Sequence, residues 1–247
     1  MKTYGLIGYP LGHSFSRGYF TDYFGREGIE AEYKNFELPS IEQLAQVLQT
    51  EPTLQGFNVT IPYKQQVFSF LSELSEAAQA IGAVNVVKVM RRDEGLYLKG
   101  YNTDYIGFTD SIRPHLKPHH THALILGTGG ASKAVDYALR KLGLKTQYVS
   151  RTAREGIIAY DELTPELMAQ YTVIVNTTPL GMRPKVDECP PLDYALLTPQ
   201  HLLYDVVYNP AKTLFLQRGE EAGAATCNGM DMLIGQAKAA WRIWTEE

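Results

Sequence analysis

Gly127-Thr128-Gly129-Gly130-Ala131-Ser132 directly follows an apolar run, Leu124-Ile125-Leu126. It precedes a segment in which Ala134, Val135, Ala138, Leu139 and Leu142 recur at helical spacing. Glycines at 127 and 129 allow a tight turn and let backbone N–H groups approach a pyrophosphate, while a helix starting near Ala131 points its positive end at that anion. Ser132 stands where the dinucleotide fingerprint has its third glycine, and so small a side chain still permits close packing of helix on strand. The next strand, near Thr146 to Val149, ends on Ser150-Arg151-Thr152 and not on an acidic residue that would bind ribose hydroxyls. A guanidinium suits a ribose 2′-phosphate, so the pattern predicts NADP over NAD, with Arg151 as the phosphate ligand and Arg154 just behind it.

Two further stretches carry reactive types. Asn58-Val59-Thr60-Ile61-Pro62-Tyr63-Lys64 ends a strand on polar residues and then opens a predicted helix at Pro62, a permitted first helical residue. That places a hydroxyl and an amine at the C-terminal edge of a sheet, where open α/β sheets bind ligands. A lysine beside a positive helix end has its ammonium form disfavoured, which suits acid-base work. Asn102-Thr103-Asp104 adds a carboxylate at the junction of the two halves, and such junctions are favoured cleft positions. Other eye-catching residues point elsewhere. His119, His120 and His122 lack a neighbouring acid or cysteine and suggest a solvated loop. His13 beside Ser14 makes no hydrolase pair without an orienting third group. Cys189 and Cys227 lack metal or disulfide spacing and are expected to be core or near-core thiols.

The elements that must hold these residues are those of an α/β protein with two α/β domains. In the first half, strands are expected at Tyr4–Gly8, Tyr33–Leu38, Phe57–Ile61, Ala83–Val89 and Gly95–Gly100, forming a mixed sheet. Helices are expected after Ser16 as N-cap, ending at Gly25 and Gly28, at Ile41–Leu48, and at Ser75–Ile81 with Gly82 as cap. In the second half, apolar strands at 124–126, 146–149, 173–175 and 202–207 suit a parallel, Rossmann-like sheet covered on both faces. A last helix, Met232 to Trp244, carries Leu233, Ala237, Ala240 and Trp244 on one stripe and by chain order can return to the first domain. The expected boundaries are 1–104, completed by 231–247, and 105–230.

Composition narrows the function classes. The 247 residues can bury a large core, and 45% hydrophobic with 20% charged residues is a globular balance. With 23 Lys+Arg against 27 Asp+Glu, the net charge of -4 argues against a nucleic-acid surface while leaving room for a local anion pocket. Unbroken apolar runs reach four residues, as at Ala123 to Leu126, so neither a membrane partner nor an export signal is expected. The expectation is a cytoplasmic protein without a metal.

Taken in order, Ser14-Phe15-Ser16, Asn58 to Lys64, Gly82-Ala83-Val84-Asn85, Asn102-Thr103-Asp104, the Gly127 loop and Ser150-Arg151-Thr152 resemble the shikimate dehydrogenase family. Asn176-Thr177-Thr178-Pro179-Leu180-Gly181-Met182, Tyr208-Asn209-Pro210 and Asn228-Gly229-Met230 with Gly235-Gln236-Ala237 continue the likeness to the end of the chain. The resemblance implies an NADP-dependent oxidoreductase that reduces 3-dehydroshikimate to shikimate in aromatic amino-acid biosynthesis. Its small-molecule substrate would bind an N-terminal substrate domain, and its cofactor a C-terminal Rossmann-like domain, in a monomer or homodimer.

Carried over position by position, Lys64 and Asp104 would be catalytic. Ser14 and Ser16 would hydrogen-bond the substrate carboxylate, with Tyr208 nearby, while Thr60, Asn85, Asp104 and Gln236 would bind the ring hydroxyls and Lys64. NADP would lie along Gly127, Thr128, Gly129, Gly130, Ala131 and Ser132, then Ser150, Arg151 and Thr152, with Gly229 and Met232 near the nicotinamide. The chain departs from the family pattern at Arg17, Val86 and Ser150, and Arg154 stands one residue nearer to Arg151 than a second phosphate-binding arginine often does. A quinate or shikimate dehydrogenase that uses NAD, and a silent NADP-binding module, are the alternative readings.

Overall fold

A computed structural model describes residues 1–12, 14–93 and 95–246; His13 lies outside the described residues. The chain divides into two compact units, Met1–Thr103 with Ala237–Glu247, and Asp104–Gln236.

The first unit contains β1 (Lys2–Gly8), α1 (Phe15–Glu27), β2 (Ala31–Glu37), α2 (Leu44–Thr50), β3 (Leu54–Val59), β4 (Glu73–Leu74), α3 (Glu76–Ile81), β5 (Val86–Arg92) and β6 (Gly95–Tyr101). Its sheet has the order β2-β1-β3-β5-β6-β4. β2, β1 and β3 run parallel, whereas β5 is antiparallel to both β3 and β6, so the sheet is mixed. Alternation along the strands splits the core between its faces. Ile7, Phe57 and Val87 pack with Leu44 and Leu48 of α2. Tyr4, Leu6 and Val86 pack with Phe20 and Phe24 of α1 and with Ala237, Ala240 and Trp244 from the end of the chain.

Local signals differ from the expected ones in three places. Ser14, not Ser16, caps α1: its backbone is extended and its hydroxyl accepts the Arg17 N–H at 3.3 Å. Gly25 is inside the helix and Gly28, with φ +65°, ends it. After Pro62 no α-helix forms, only turns and a short 3-10 segment at Gln66–Phe70. The Lys64 carbonyl is taken by Val84 N–H at 2.8 Å, which removes the acceptor that an i+4 bond would need. Lys64 therefore does not lie in the first α-helical turn that its local sequence predicts. His120 is also no solvated loop residue, since it is buried with both ring nitrogens engaged, by Lys117 N–H at 3.0 Å and the Gln200 carbonyl at 3.0 Å. Burial lowers its pKa.

The second unit contains α4 (Asp104–Ile112), β7 (His122–Leu126), α5 (Gly130–Lys141), β8 (Lys145–Ser150), β9 (Ile157–Ala159), α6 (Pro165–Gln170), β10 (Val173–Asn176), β11 (Leu202–Asp205), α7 (Leu214–Glu221), β12 (Ala225–Cys227) and the first part of α8 (Met230–Thr245). All six strands are parallel in the order β12-β11-β10-β7-β8-β9. The chain thus starts at the centre, builds outward through β8 and β9, and returns to the other side of β7 with β10. This is the doubly wound order, with a crevice beyond the carboxyl ends of β7 and β10. Successive residues of β7 face opposite cores, Ala123 and Ile125 with α5, and Leu124 and Leu126 with Phe215 and Leu216 of α7. Among the described residues no helix is long and apolar enough to cross a membrane.

Trp244 closes the first unit. Its indole N–H donates to the Val87 carbonyl at 3.0 Å, and its ring lies 5.0 Å from Tyr4 and 5.4 Å from Phe20 between centroids. A Cβ at Gly56 would come within 2.3 Å of that indole, so β3 accepts the ring only because residue 56 has no side chain. Gly56→Ala is expected to lower stability by about 1–3 kcal/mol, the usual scale of overpacking, in urea unfolding. In a Trp244→Leu background the same substitution should cost clearly less; an equal cost in both backgrounds would place the clash elsewhere.

Candidate functional site

In the second unit, the crevice at the sheet's switch point opens into a cavity of about 530 Å³. Gly127, Thr128, Gly129, Ser150 and Arg151 line it, as the glycine loop and the end of β8 predict. Gly127 has φ +101°, and a Cβ there would press on Thr178 at 2.9 Å, so the turn requires glycine on both counts. Gly129 is the N-cap of α5, and a Cβ there would meet no atom within 4 Å, which leaves the loop open on that side. Ser132 is buried and donates to the Gly129 carbonyl at 2.6 Å, closing the loop onto the helix. The small third position is therefore a hydrogen-bonding residue and more than a spacer.

Two guanidinium groups follow β8. Arg151 is exposed at the cavity, with Tyr160 opposite it; burial pushes the Tyr160 phenol up to about 12, partly offset by the Arg151 charge. Arg154 donates to the Thr128 hydroxyl at 3.0 Å and is thereby fixed to the glycine loop. An open glycine turn at a helix N-terminus, bordered by two guanidiniums and no carboxylate at 150–152, fits a dinucleotide with an additional phosphate.

Gly130, Ala131, Ser132, Thr152, Gly229 and Met232 do not line this cavity. Gly229 has a separate reason to be glycine, since a Cβ would lie 2.1 Å from the Val206 carbonyl oxygen. Met232 is buried in the core against α5 and the sheet. Conversely, Tyr160, Thr177, Thr178, Pro179, Leu180, Cys189 and Pro191 line the cavity without having been assigned a role from their types. Cys189 is a near-core thiol as expected, half-buried against the core, and it also forms part of the cavity wall.

Behind that wall lies Asp205, fully buried at the end of β11. It accepts from Asn176 Nδ2 at 3.0 Å, from Val207 N–H at 3.0 Å and from the Thr213 hydroxyl at 2.6 Å. Burial raises its pKa from 3.8 to about 6, against the pull of those three hydrogen bonds. Asp104 and Gln236 are buried in the same unit, at the start of α4 and within α8, and Tyr208 is half-buried after β11.

The first unit holds the other candidates at the C-terminal edge of its parallel strands. Ser14 caps α1 and Ser16 lies in its first turn. Tyr33 donates to Asn58 Oδ1 at 2.6 Å, and Asn58 Nδ2 donates to the Asn85 carbonyl at 3.3 Å. The Asn85 side chain is bound to Thr103, accepting its N–H at 2.6 Å and donating to its hydroxyl at 3.0 Å. One polar chain thus runs from Tyr33 to Thr103. Thr60 N–H donates to the Ile7 carbonyl at 3.0 Å, and Lys64 is half-buried in the following turn. The bonds of Tyr33 and Thr103 to these asparagines are not revealed by residue types alone, because the partners are distant in sequence.

Comparison with known proteins agrees with this geometry. Residues 6–87 match the family described as shikimate dehydrogenase substrate binding domain. A shikimate dehydrogenase (NADP(+)) of Clostridium beijerinckii is 40% identical over 256 residues, spanning 100% of this chain and 93% of that protein. The structure of shikimate 5-dehydrogenase from Thermus thermophilus in complex with NADP(H) and shikimate has a TM-score of 0.86 at 30% identity, covering 100% of this chain and 94% of that one. Quinate dehydrogenase from Corynebacterium glutamicum in complex with NAD has a TM-score of 0.86 at 28% identity, with the same coverage of 100% and 94%.

The Asp205 carboxyl generates a pH prediction. Because its folded pKa is raised, the folded state holds the proton more tightly than the unfolded chain. Its stabilising contribution is complete below pH ~4 and is lost as pH rises through about 6, a change of about 3 kcal/mol. Asp205→Asn removes this titration. Its stability relative to the parent should therefore rise between pH 4 and 7 in chemical denaturation, and a pH-independent difference would refute the raised pKa.

Proposed function

This chain belongs to the shikimate dehydrogenase family, and we propose that it interconverts shikimate and 3-dehydroshikimate with NADP as cofactor. The carrying observation is the pair of guanidiniums beside an open glycine turn, Arg151 at the cavity and Arg154 tied to Thr128. A dinucleotide with a ribose 2′-phosphate matches that charge. In this reading the unit 104–236 binds NADP through Gly127, Thr128, Gly129, Gly130, Ala131, Ser132, Ser150, Arg151 and Thr152, with Gly229 and Met232 toward the nicotinamide. The unit containing Ser14, Ser16, Thr60, Lys64 and Asn85 binds substrate.

The cofactor, when bound, supplies or takes up the hydride at the ring carbon. Lys64 gives a proton to the developing alkoxide oxygen in reduction and accepts it in oxidation, and its positive charge stabilises that oxygen. Asp104 is the second residue assigned to the catalytic step in this reading. Ser14 and Ser16, with Tyr208, hold the substrate carboxylate by hydroxyl donors. Thr60, Asn85 and Gln236 hold the ring hydroxyls, and the bonds from Thr103 fix which way the Asn85 amide faces. We also propose a cytoplasmic monomer or homodimer.

Quinate oxidation with NAD is the competing reading, favoured by the similarity to a quinate dehydrogenase in complex with NAD. Absorbance of the reduced nicotinamide separates the two: NADP-linked oxidation of shikimate supports the proposal, and faster NAD-linked oxidation of quinate rejects it. No reduction with either cofactor would leave a silent binding module. Lys64→Ala should lower kcat by about 10²–10⁴ with a smaller change in KM, and an unchanged kcat would remove Lys64 from the chemistry. Arg151→Ala should weaken NADP binding by about 1.5–3 kcal/mol in equilibrium titration while leaving NAD binding nearly unchanged.

A further inference from the structure

We propose that Asp205 is a positioning residue for the cofactor cavity, holding its Thr177–Gly181 wall in place through the Asn176 amide and the Thr213 hydroxyl. The inference rests on the reading that this cavity takes NADP.

The wall itself has little regular structure to hold it. Thr177 N–H and its hydroxyl both reach the Leu126 carbonyl, at 2.9 and 2.7 Å, and from there the chain depends on Asn176. Asn176 Oδ1 accepts from Thr178 N–H at 3.0 Å and from the Thr178 hydroxyl at 2.6 Å. Its Nδ2 faces the Asp205 carboxylate at 3.0 Å and, at a longer 3.5 Å, the Leu180 carbonyl. An amide side chain has one accepting and one donating end, so its direction is set by what faces it. An acceptor at position 205 fixes the donor end inward and leaves the oxygen for Thr178. Without that acceptor the amide is free to turn, and the Thr178 bonds lose their partner.

The second arm of the clamp runs through Thr213. Its hydroxyl donates to Asp205 Oδ2 at 2.6 Å and accepts from Leu216 N–H at 3.4 Å, so one oxygen both caps α7 and meets the carboxylate. Thr213 in turn packs on Gly181, where an added Cβ would lie 3.2 Å from the Thr213 Cβ. Gly181 has φ +87°, so the wall turns at this contact. The third bond, from Val207 N–H, joins the carboxylate to the chain just past β11. Asp205 makes no ion pair among the described residues, and its three hydrogen-bond partners, Asn176, Val207 and Thr213, are neutral donors. Its bonds to them satisfy a group that lies wholly in the interior, and neither Asp205 nor Thr213 lines the cavity.

The test uses the full chain and NADP titration. Asp205→Leu, which keeps the branched side-chain skeleton at a larger volume and removes the acceptor, should raise the Kd and KM for NADP at least tenfold while the KM for shikimate stays within about twofold. Asp205→Asn keeps an acceptor toward Asn176 and Val207 and should restore NADP affinity to within about threefold of the parent. Thr213→Val, which removes one arm without touching position 205, should raise the Kd severalfold, and Thr213→Ser should not. If Asp205→Leu fails to fold, the Thr213 pair decides. Unchanged NADP affinity in Asp205→Leu or Thr213→Val overturns the inference, as does an Asn variant as impaired as the Leu variant. Failure of the cofactor reading is distinguishable, because the parent itself would then show no NADP binding.

Discussion

A parallel sheet leaves polar groups at the ends of its strands that its own ladder cannot satisfy, and a buried group without a partner costs about 1–3 kcal/mol. Both units meet this constraint in the same way, with side-chain amides buried at the carboxyl edge. In the first unit Asn58 and Asn85 take the carbonyl and N–H groups between β3 and the chain entering α4. In the second, Asn176 does so between β10 and the wall of the cavity. Among the described residues only Asn35 Oδ1 and Thr172 Oγ1 are buried without a partner, and neither belongs to these loops. The loops that carry the candidate binding groups are therefore tied to the sheet by the same hydrogen bonds that satisfy its strand ends.

That constraint explains which parts were legible in the amino-acid order. β7, the glycine turn and α5 are local patterns, an apolar run followed by glycines and then a helical stripe, and they occur where the spacing places them. The same holds for α3 between Ser75 and Gly82. The return of the last helix was legible because Ala237, Ala240 and Trp244 form a stripe, although its target, Gly56, carries no side chain to announce it. The turn after Pro62 was not legible. Its helix signals are local, but the Lys64 carbonyl is claimed by Val84, and a tertiary bond overrides the propensity. β9 and β12 have three residues each, too short for an alternation to register.

The candidate binding residues and their supports divide along the same line. Gly127, Gly129 and Arg151 are visible because the motif around them has a fixed geometry, one that any chain with that strand and helix must share. Tyr33 and Asp205 are invisible because each bonds to partners far from it in the chain, and a lone tyrosine or aspartate has no pattern. Thr103 is visible as part of a motif, but its bond to Asn85 is not. Cys189 was visible as a thiol but not as a wall residue, since its segment has no regular structure from which to count positions.

Net charge illustrates the distance between composition and site. The chain carries four more acidic than basic formal charges, yet the end of β8 presents two arginines to one loop. The two are not equivalent. Arg154 is already held by Thr128, so part of the ordering cost of its side chain is met before a ligand arrives, while Arg151 is exposed and keeps its rotamer freedom. A held guanidinium contributes geometry and a free one contributes reach. Discrimination between cofactors that differ by one phosphate needs both, because charge alone attracts either dinucleotide and only paired, directed bonds reward the extra group.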